Sequence, residues 1–573
     1  MPEYFDKNVK SLGPDGLKDL CEHLREKIIT TVMNNGGHLS SNLGIIELTV
    51  ALHYVFDFPT DKLIFDVGHQ CYAHKLLSGR EAEFTNLRKR GGPSGFPKRE
   101  ESDYDCYNTG HAGTSVSAAL GFAKARDIKG EDFNVIAIIG DGSFNNGLVY
   151  EAFNSLRPLN TNILVILNDN GMSISPTVGS MHEYLEQLSQ NDKFRAKVEK
   201  HSNIFERFGF SYDGVYDGND LDCMITKLSE IKEKLKTQSI ILHVATKKGK
   251  GYSFCEEHPQ QTHGITCNGK RNITSYSEVF GKTLVSLAEK NKSVVAVTAA
   301  MTPSLGLSEF FERYPDRSID VGICEEHATI LCAALAVQGL KPYYAVYSTF
   351  LQRSFDEIII DICSQNLPVT LCVDRAGISG EDGETHQGVF DLSFLNMIPN
   401  LTIAVPKDIN EFEAMLEESV SFNAPLAIRY PKECRTVFDG DDGLKFGKWE
   451  YLRRGKGDAA ILACGERAIK TALDVSAHFG GSIDVINARF VKPLDCQTLD
   501  SIRAKLLITI EDNQILGGFG NSICNYFSDS GAVRVKCFGC IDEFIPHGSV
   551  EELTKEFGAD KNAIIKYIEK VCG

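Results

Sequence analysis

Residues 135–142 read VIAIIGDG and residues 163–171 read ILVILNDNG. Each is a run of β-branched and aliphatic side chains that stops abruptly on glycine, aspartate or asparagine. An unbroken apolar run, rather than an alternating one, is what a strand buried on both faces of a parallel sheet requires. Ligands of open α/β sheets bind where such strands end. Two glycines around Asp141 let the backbone come close to a phosphate, and Asp141 can hold a hard cation. Asp141 and Asn170 are 29 residues apart, the length of one strand–helix–strand unit. Adjacent strand ends can then offer a carboxylate and an amide oxygen to one Mg²⁺, which takes oxygen ligands and shares them with substrate phosphates. Gly-Asp-Gly alone reads as a tight turn with a capping Asp; the second strand end at matched distance favours a metal–diphosphate site.

Working outward, similar runs recur at Ile240–Val244, Val294–Val297, Tyr344–Tyr347, Val369–Val373, Ile403–Val405, Ala427–Tyr430, Ala459–Ala463, Ile483–Ile486, Leu506–Ile510 and Val533–Cys537. Amphipathic stretches such as Gly44–Phe56 and Glu325–Val337 separate them. The class is α/β, several times over. Two polar stretches, Ser253–Ser275 and Lys432–Gly447, read as linkers and divide the chain into 1–265, 274–432 and 446–573.

The chain has 573 residues, 42% hydrophobic and 24% charged, enough to bury large cores without staples. Lys and Arg number 60 against 77 Asp and Glu, a net charge of −17. That balance speaks against nucleic acid and anionic membranes as partners. No apolar segment is long enough to span a bilayer, and the N-terminus has no secretory core. Seventeen scattered cysteines fit a reducing, cytoplasmic setting. Cys537-Phe-Gly-Cys540 has no second pair and reads as part of a strand end.

Nucleotide motifs fail. The stretch after Ile139 lacks the G-x-G-x-x-G spacing of dinucleotide enzymes, as does Gly517-Gly518-Phe519-Gly520. Gly281-Lys282-Thr283 looks like the tail of a P-loop, but Tyr276 stands where its first glycine belongs.

The Gly-Asp-Gly and paired Asn/Asp pattern resembles the thiamin-diphosphate signature of transketolase-like enzymes. Longer blocks narrow the resemblance: GHLSSNLG (37–44), DVGHQCYAHK (66–75), NTGHAGTSVSAALG (108–121), ILNDNGMSIS (166–175), YSTFLQRSFD (347–356), DRAGISGEDGETHQG (374–388), IRYP (428–431) and DEFIPHG (542–548). In this order they resemble the 1-deoxy-D-xylulose-5-phosphate synthase family over nearly the whole chain. The resemblance implies three transketolase-like α/β domains, each a mostly parallel sheet covered by helices: a diphosphate-binding domain (1–265), a pyrimidine-binding domain (274–432) and a C-terminal domain (446–573). It implies a homodimer, with thiamin diphosphate and Mg²⁺ as cofactors, and pyruvate and D-glyceraldehyde 3-phosphate as substrates. The product, formed with loss of CO₂, feeds isoprenoid, thiamin and pyridoxal precursors.

The resemblance also implies residue roles. Asp141, Asn170 and the Met172 carbonyl would hold Mg²⁺, with Gly142 and Ser143 against the diphosphate. His69, His111 and Tyr252 match cofactor-pocket positions, and Ile174 an apolar wedge that bends the cofactor. Glu325, opening a helix after an apolar strand read at Ile319–Ile323, would activate the cofactor through its aminopyrimidine ring, on which Phe350 would stack. His38, His263, His386 and Asp382 match active-site groups able to donate hydrogen bonds and move protons. Arg375 and Arg429, each after an apolar run, match the acceptor-phosphate arginines; Tyr347 and Arg353 match further pocket positions. The segment Gly380–Gly388 reads as mobile. Three departures stand out. Asn42 replaces the usual Gly and would hold a left-handed backbone or add a polar contact; Ser143 replaces the usual Ala; and Ser175–Phe208 is short. Transketolase-type two-carbon transfer, or a paralogue that only binds, are the alternative readings.

Overall fold

The structure is a computed structural model that describes residues 9–173, 176–190, 203–266, 274–438, 443–457, 459–529 and 531–572. It forms two compact units, residues 1–269 with 322–324, and residues 270–321 with 325–573.

The first unit is built on one parallel sheet of β1 (Lys62–Phe65), β2 (Val135–Gly140), β3 (Leu164–Asp169), β4 (Ser211–Asp217) and β5 (Ile240–Ala245), in the order β1-β2-β3-β5-β4. All but the last residue of β2 and of β3 is buried. The reason is visible in the packing. Ile136, Ile138, Leu164 and Ile166 enter one core with the helices Pro14–Asn35, Ile46–Val55 and Leu221–Lys234. Ala137, Ile139, Val165 and Leu167 enter another with the helices Ser115–Lys129 and Gly147–Leu159. Side chains alternate across a strand, so a sheet with a core on each face needs apolar residues at every position. Each such Val, Ile or Leu contributes about 1.5–3 kcal/mol of burial. The register pairs Gly140 with Asn168, so the segments that leave β2 and β3 do so side by side at the same edge.

Among the described residues the second unit carries two large sheets and a two-stranded pair, β6 with β13. Strands β6 (Thr274–Ser275), β7 (Val294–Thr298), β8 (Ser318–Asp320), β9 (Lys341–Tyr347), β10 (Thr370–Asp374), β11 (Thr402–Ala404), β12 (Leu426–Arg429) and β13 (Glu433–Cys434) come first. They are followed by β14 (Glu450–Arg453), β15 (Ala459–Ala463), β16 (Asp484–Asn487), β17 (Phe490–Lys492), β18 (Leu506–Gln514) and β19 (Arg534–Cys540). One large sheet runs β17-β11-β12-β10-β9-β7-β8, the other β14-β16-β15-β18-β19. Both are parallel except at the edge pairs β17–β11 and β14–β16. This is the α/β architecture expected.

Several readings change. The strand expected at Ile319–Ile323 is Ser318–Asp320; it lies at a sheet edge, and Val321–Cys324 leave it as a loop. The two linkers carry structure at their described ends. Ser253–Glu257 is a helix with Cys255 buried, while Thr274–Ser275 pairs antiparallel with Glu433–Cys434. Residues 490–492 belong by sequence to the last segment yet extend the sheet of the middle one. Gly380–Gly388 is tied down. The buried Gln387 side chain accepts from the backbone N–H groups of Ser379 and Gly380 and donates to the carbonyls of Gly380 and Pro546. Cys537 and Cys540 lie within β19, three residues apart and so on opposite faces; Cys537 Sγ sits 3.5 Å from Cys524 Sγ.

Candidate active site

The first unit gathers a buried carboxylate and a histidine cluster. Asp141 opens a short helical turn directly after β2 and is 1% exposed. Thr177 Oγ1 donates to it at 2.6 Å and the Asn170 N–H at 3.4 Å. Burial, reinforced by the charge of Asp169, pushes its carboxyl up to about 7. A carboxylate so placed calls for a cation. Beside it, Asn170 Oδ1 is buried without a hydrogen-bond donor. A Cβ on Gly142 would lie 2.8 Å from the Ser173 Cβ, so only glycine lets the two strand-end loops approach. An unused amide oxygen, a carboxylate short of positive charge and a glycine cradle fit Mg²⁺ and a diphosphate. Ile174 lies outside the described residues, as do residues 175 and 191–202 of the shortened segment.

His38, His69 and His263 form a triangle, with ring centroids 5.3–5.4 Å apart. They come from three distant loops. Burial, then the charges of Lys248, His69 and His38, holds the His263 imidazole well below its usual range, so it is neutral at pH 7. Ser41 Oγ lies 3.3 Å from its Nδ1. His111 is on a loop joined to the His69 loop through Asp66, whose buried carboxylate accepts the N–H groups of Gly113 and Ser115. The Tyr252 ring packs against the adjoining core.

In the second unit Glu325 opens the helix Glu325–Val337 and is 2% exposed. Burial pushes its carboxyl up to about 7, with Arg353 opposing. The Arg353 Nη1 is 3.8 Å from Oε2, too far for a hydrogen bond, and Oε2 has none. Nearby rings form a column. Arg375 lies over the Tyr347 ring at 3.9 Å; Tyr347 stacks on Phe350 at 5.8 Å; and His386 meets Phe350 edge-on at 5.6 Å. Thr385 Oγ1 sits 2.8 Å from His386 Nδ1. Arg375 has φ 55°, an uncommon backbone for a residue with a side chain and a frequent mark of functional positions. The Asp382 charge acts on it.

Arg429 meets a different arrangement from the one expected. It is buried, with Nε on Asp391 at 2.7 Å and Nη2 on the carbonyls of Gly388 and Asp512. Its fork is spent on internal partners, which weighs against a phosphate grip.

The family model described as 1-deoxy-D-xylulose-5-phosphate synthase matches residues 4–204 and 191–246. That of the transketolase pyrimidine-binding domain matches 273–435, and that of the transketolase C-terminal domain 447–564. The 1-deoxy-D-xylulose-5-phosphate synthase of Clostridium tetani is 46% identical over 98% of this chain and 98% of its own. That of Carboxydothermus hydrogenoformans is 44% identical over 98% and 97%. The chain belongs to the 1-deoxy-D-xylulose-5-phosphate synthase family. It is therefore a transferase of the transketolase class.

Sequence reading passed over two residues of this family member that the structure brings to the site. Lys248, buried and donating to the Ser173 carbonyl, lies close enough to Asp141 for their charges to interact. Burial lowers its ammonium to about 8. Lys432, placed by sequence at the start of a linker, is lowered by burial and by the charge of Arg375, so two cations converge there. The available signals were a lysine between a strand end and Gly249 in one case and a lysine directly after Pro431 in the other.

Proposed function

We propose that the chain condenses pyruvate with D-glyceraldehyde 3-phosphate to 1-deoxy-D-xylulose 5-phosphate and CO₂, using thiamin diphosphate held through Mg²⁺. The observation that carries the reading is Glu325, a buried carboxyl, protonated near neutrality, with an open hydrogen-bonding position at Oε2. When bound, thiamin diphosphate would supply a nucleophilic carbon and an electron sink for decarboxylation.

The protein's share divides between the units. In the first, Asp141, Asn170 Oδ1 and the Met172 carbonyl hold Mg²⁺, Lys248 offsets diphosphate charge, and Gly142 and Ser143 let it approach. His69 and His111 border the cofactor, and Tyr252 supports their surroundings. His38 and the neutral His263 donate to pyruvate oxygens as they gain charge and return protons. In the second, Glu325 hydrogen-bonds the pyrimidine, Phe350 offers it a ring face, and Arg353 limits the ionisation cost of Glu325. Asp382 and His386 orient the acceptor, with Tyr347 supporting Arg375. Arg375 and Lys432 take its phosphate. The domains follow as 1–265 for diphosphate, 274–432 for pyrimidine and 446–573 as the C-terminal domain. The protein works in the cytoplasm as a homodimer; the exposed Ile330, Val337 and Ile360 supply apolar surface for it.

Kinetics with phosphorylated and plain glyceraldehyde test the acceptor. Removing charge-assisted bonds by Arg375→Ala should weaken use of the phosphorylated aldehyde by roughly 30- to 1000-fold, with Lys432→Ala smaller and plain glyceraldehyde little changed. Arg429→Ala should instead cost about 3–5 kcal/mol of stability in urea unfolding, because it strands buried Asp391, and keep the preference for phosphate. An Arg375 variant that keeps the wild-type preference would overturn the assignment.

A further inference from the structure

Asn42 is fully buried and sits in the helical turn Ser40–Leu43. It is not among the residues with positive φ, so a left-handed backbone is not why an asparagine stands here. Its side chain gives the reason. Nδ2 donates to the His38 carbonyl at 2.6 Å and to the His69 carbonyl at 2.7 Å, and Oδ1 accepts the Tyr72 N–H at 2.8 Å. The partners fix the orientation of the amide, since two carbonyls face its donor end and an N–H its acceptor end. Nothing but a primary amide satisfies all three. Tyr72, also fully buried, returns the link by accepting the His38 N–H on its hydroxyl at 3.3 Å.

We propose that Asn42 is a positioning residue: its amide bridges the His38 and His69 loops and sets the spacing of the two imidazoles. The argument is geometric. The two rings stand edge-on with centroids 5.3 Å apart, 31 residues apart in the chain. Both backbone carbonyls that carry them end on one NH₂ group. Proton transfer and oxyanion stabilisation depend steeply on such placement. A glycine at this position has no means of making the bridge. This inference rests on the reading of the histidine triangle as the part of the site that handles pyruvate.

Asn42→Asp and Asn42→Gly test it. Aspartate has the same shape and still accepts from Tyr72, but turns an oxygen toward two carbonyls. Both variants should lose kcat on the order of 10- to 100-fold, Asp more than Gly, with KM for glyceraldehyde 3-phosphate within about twofold of wild type. Hydrogen–deuterium exchange of the cofactor-free protein should quicken in peptides covering 37–44 and 66–75, including the Tyr72 amide, and stay unchanged in the second unit. Asn42→Gly decides alone if the aspartate variant does not fold. Wild-type kcat with unchanged exchange in Asn42→Gly overturns the proposal. So does a kcat loss accompanied by quickened exchange throughout the protein, which is a structural role only. Wild-type protein that makes no product overturns the functional reading instead, while the exchange result still reports on the bridge.

Discussion

Asp141→Ala is expected to abolish Mg²⁺-dependent retention of thiamin diphosphate. The wild-type carboxylate is buried at the end of β2, beside an Asn170 oxygen that has no donor. Removing it takes away the one formal negative charge proposed to ligate the cation, and the diphosphate then enters a buried site without its counter-ion. Lys248 remains but lies across the loop as a single cation, lowered to about 8 by burial. Calorimetric titration should show at least about a 100-fold loss of cofactor affinity in the presence of Mg²⁺. The fold should persist, because a buried carboxyl pushed up to about 7 destabilises the metal-free protein and its loss relieves that cost. Wild-type affinity in the variant would remove Asp141 from the metal site.

Glu325→Gln separates activation from binding. The cofactor should still be retained, since the proposed diphosphate and metal ligands of the first unit are unchanged. Catalysis should fall on the order of 10³-fold, because an amide cannot share a proton with the pyrimidine as a carboxyl does. Deuterium exchange at the thiazolium carbon of the bound cofactor reads this directly; exchange as fast as in wild type would assign the activating role elsewhere. Stability gives a second readout with a definite sign. The folded-state carboxyl is raised from 4.5 to about 7, so the native state holds the proton more tightly than the unfolded chain. Wild type therefore loses stability as pH rises from about 4.5 through about 7, and the loss levels off above that. Relative to the neutral Gln variant, wild type should be weaker by roughly 3 kcal/mol at pH 8 and close to equal at pH 4. Urea unfolding at the two pH values checks it.

What could be seen in the chain beforehand depended on where each residue sits. Central strands such as β2, β3, β10 and β15 are buried on both faces and announce themselves as continuous apolar runs. Several edge strands do not. Ser211–Asp217 is half-buried along most of its length, and its polar sequence carries no such signal; Lys62–Phe65 and Glu450–Arg453, also at edges, are too short. The edge strand before Glu325 was over-read because Val321 and Ile323 are apolar but leave the sheet. Among site residues, the strand-end carboxylate and amide were legible from spacing, because one βαβ unit brings its two strand ends together. The histidine triangle was not. Its members lie 31 and 194 residues apart along the chain, and only the resemblance joined them. The inward turn of Arg429 depends on Asp391, 38 residues earlier, which no local pattern reports. Asn42 stood out as a departure, and its three hydrogen-bond partners supply the reason.

The central claim is the reaction itself. Purified protein with thiamin diphosphate, Mg²⁺, D-glyceraldehyde 3-phosphate and pyruvate labelled with ¹³C at C2 and C3 should be followed by NMR and mass spectrometry of the products. The account predicts 1-deoxy-D-xylulose 5-phosphate carrying both labels in its first two carbons, one CO₂ released per molecule formed, and no product when a ketose phosphate replaces pyruvate. Two-carbon transfer from the ketose phosphate, without pyruvate consumption or CO₂, would contradict it.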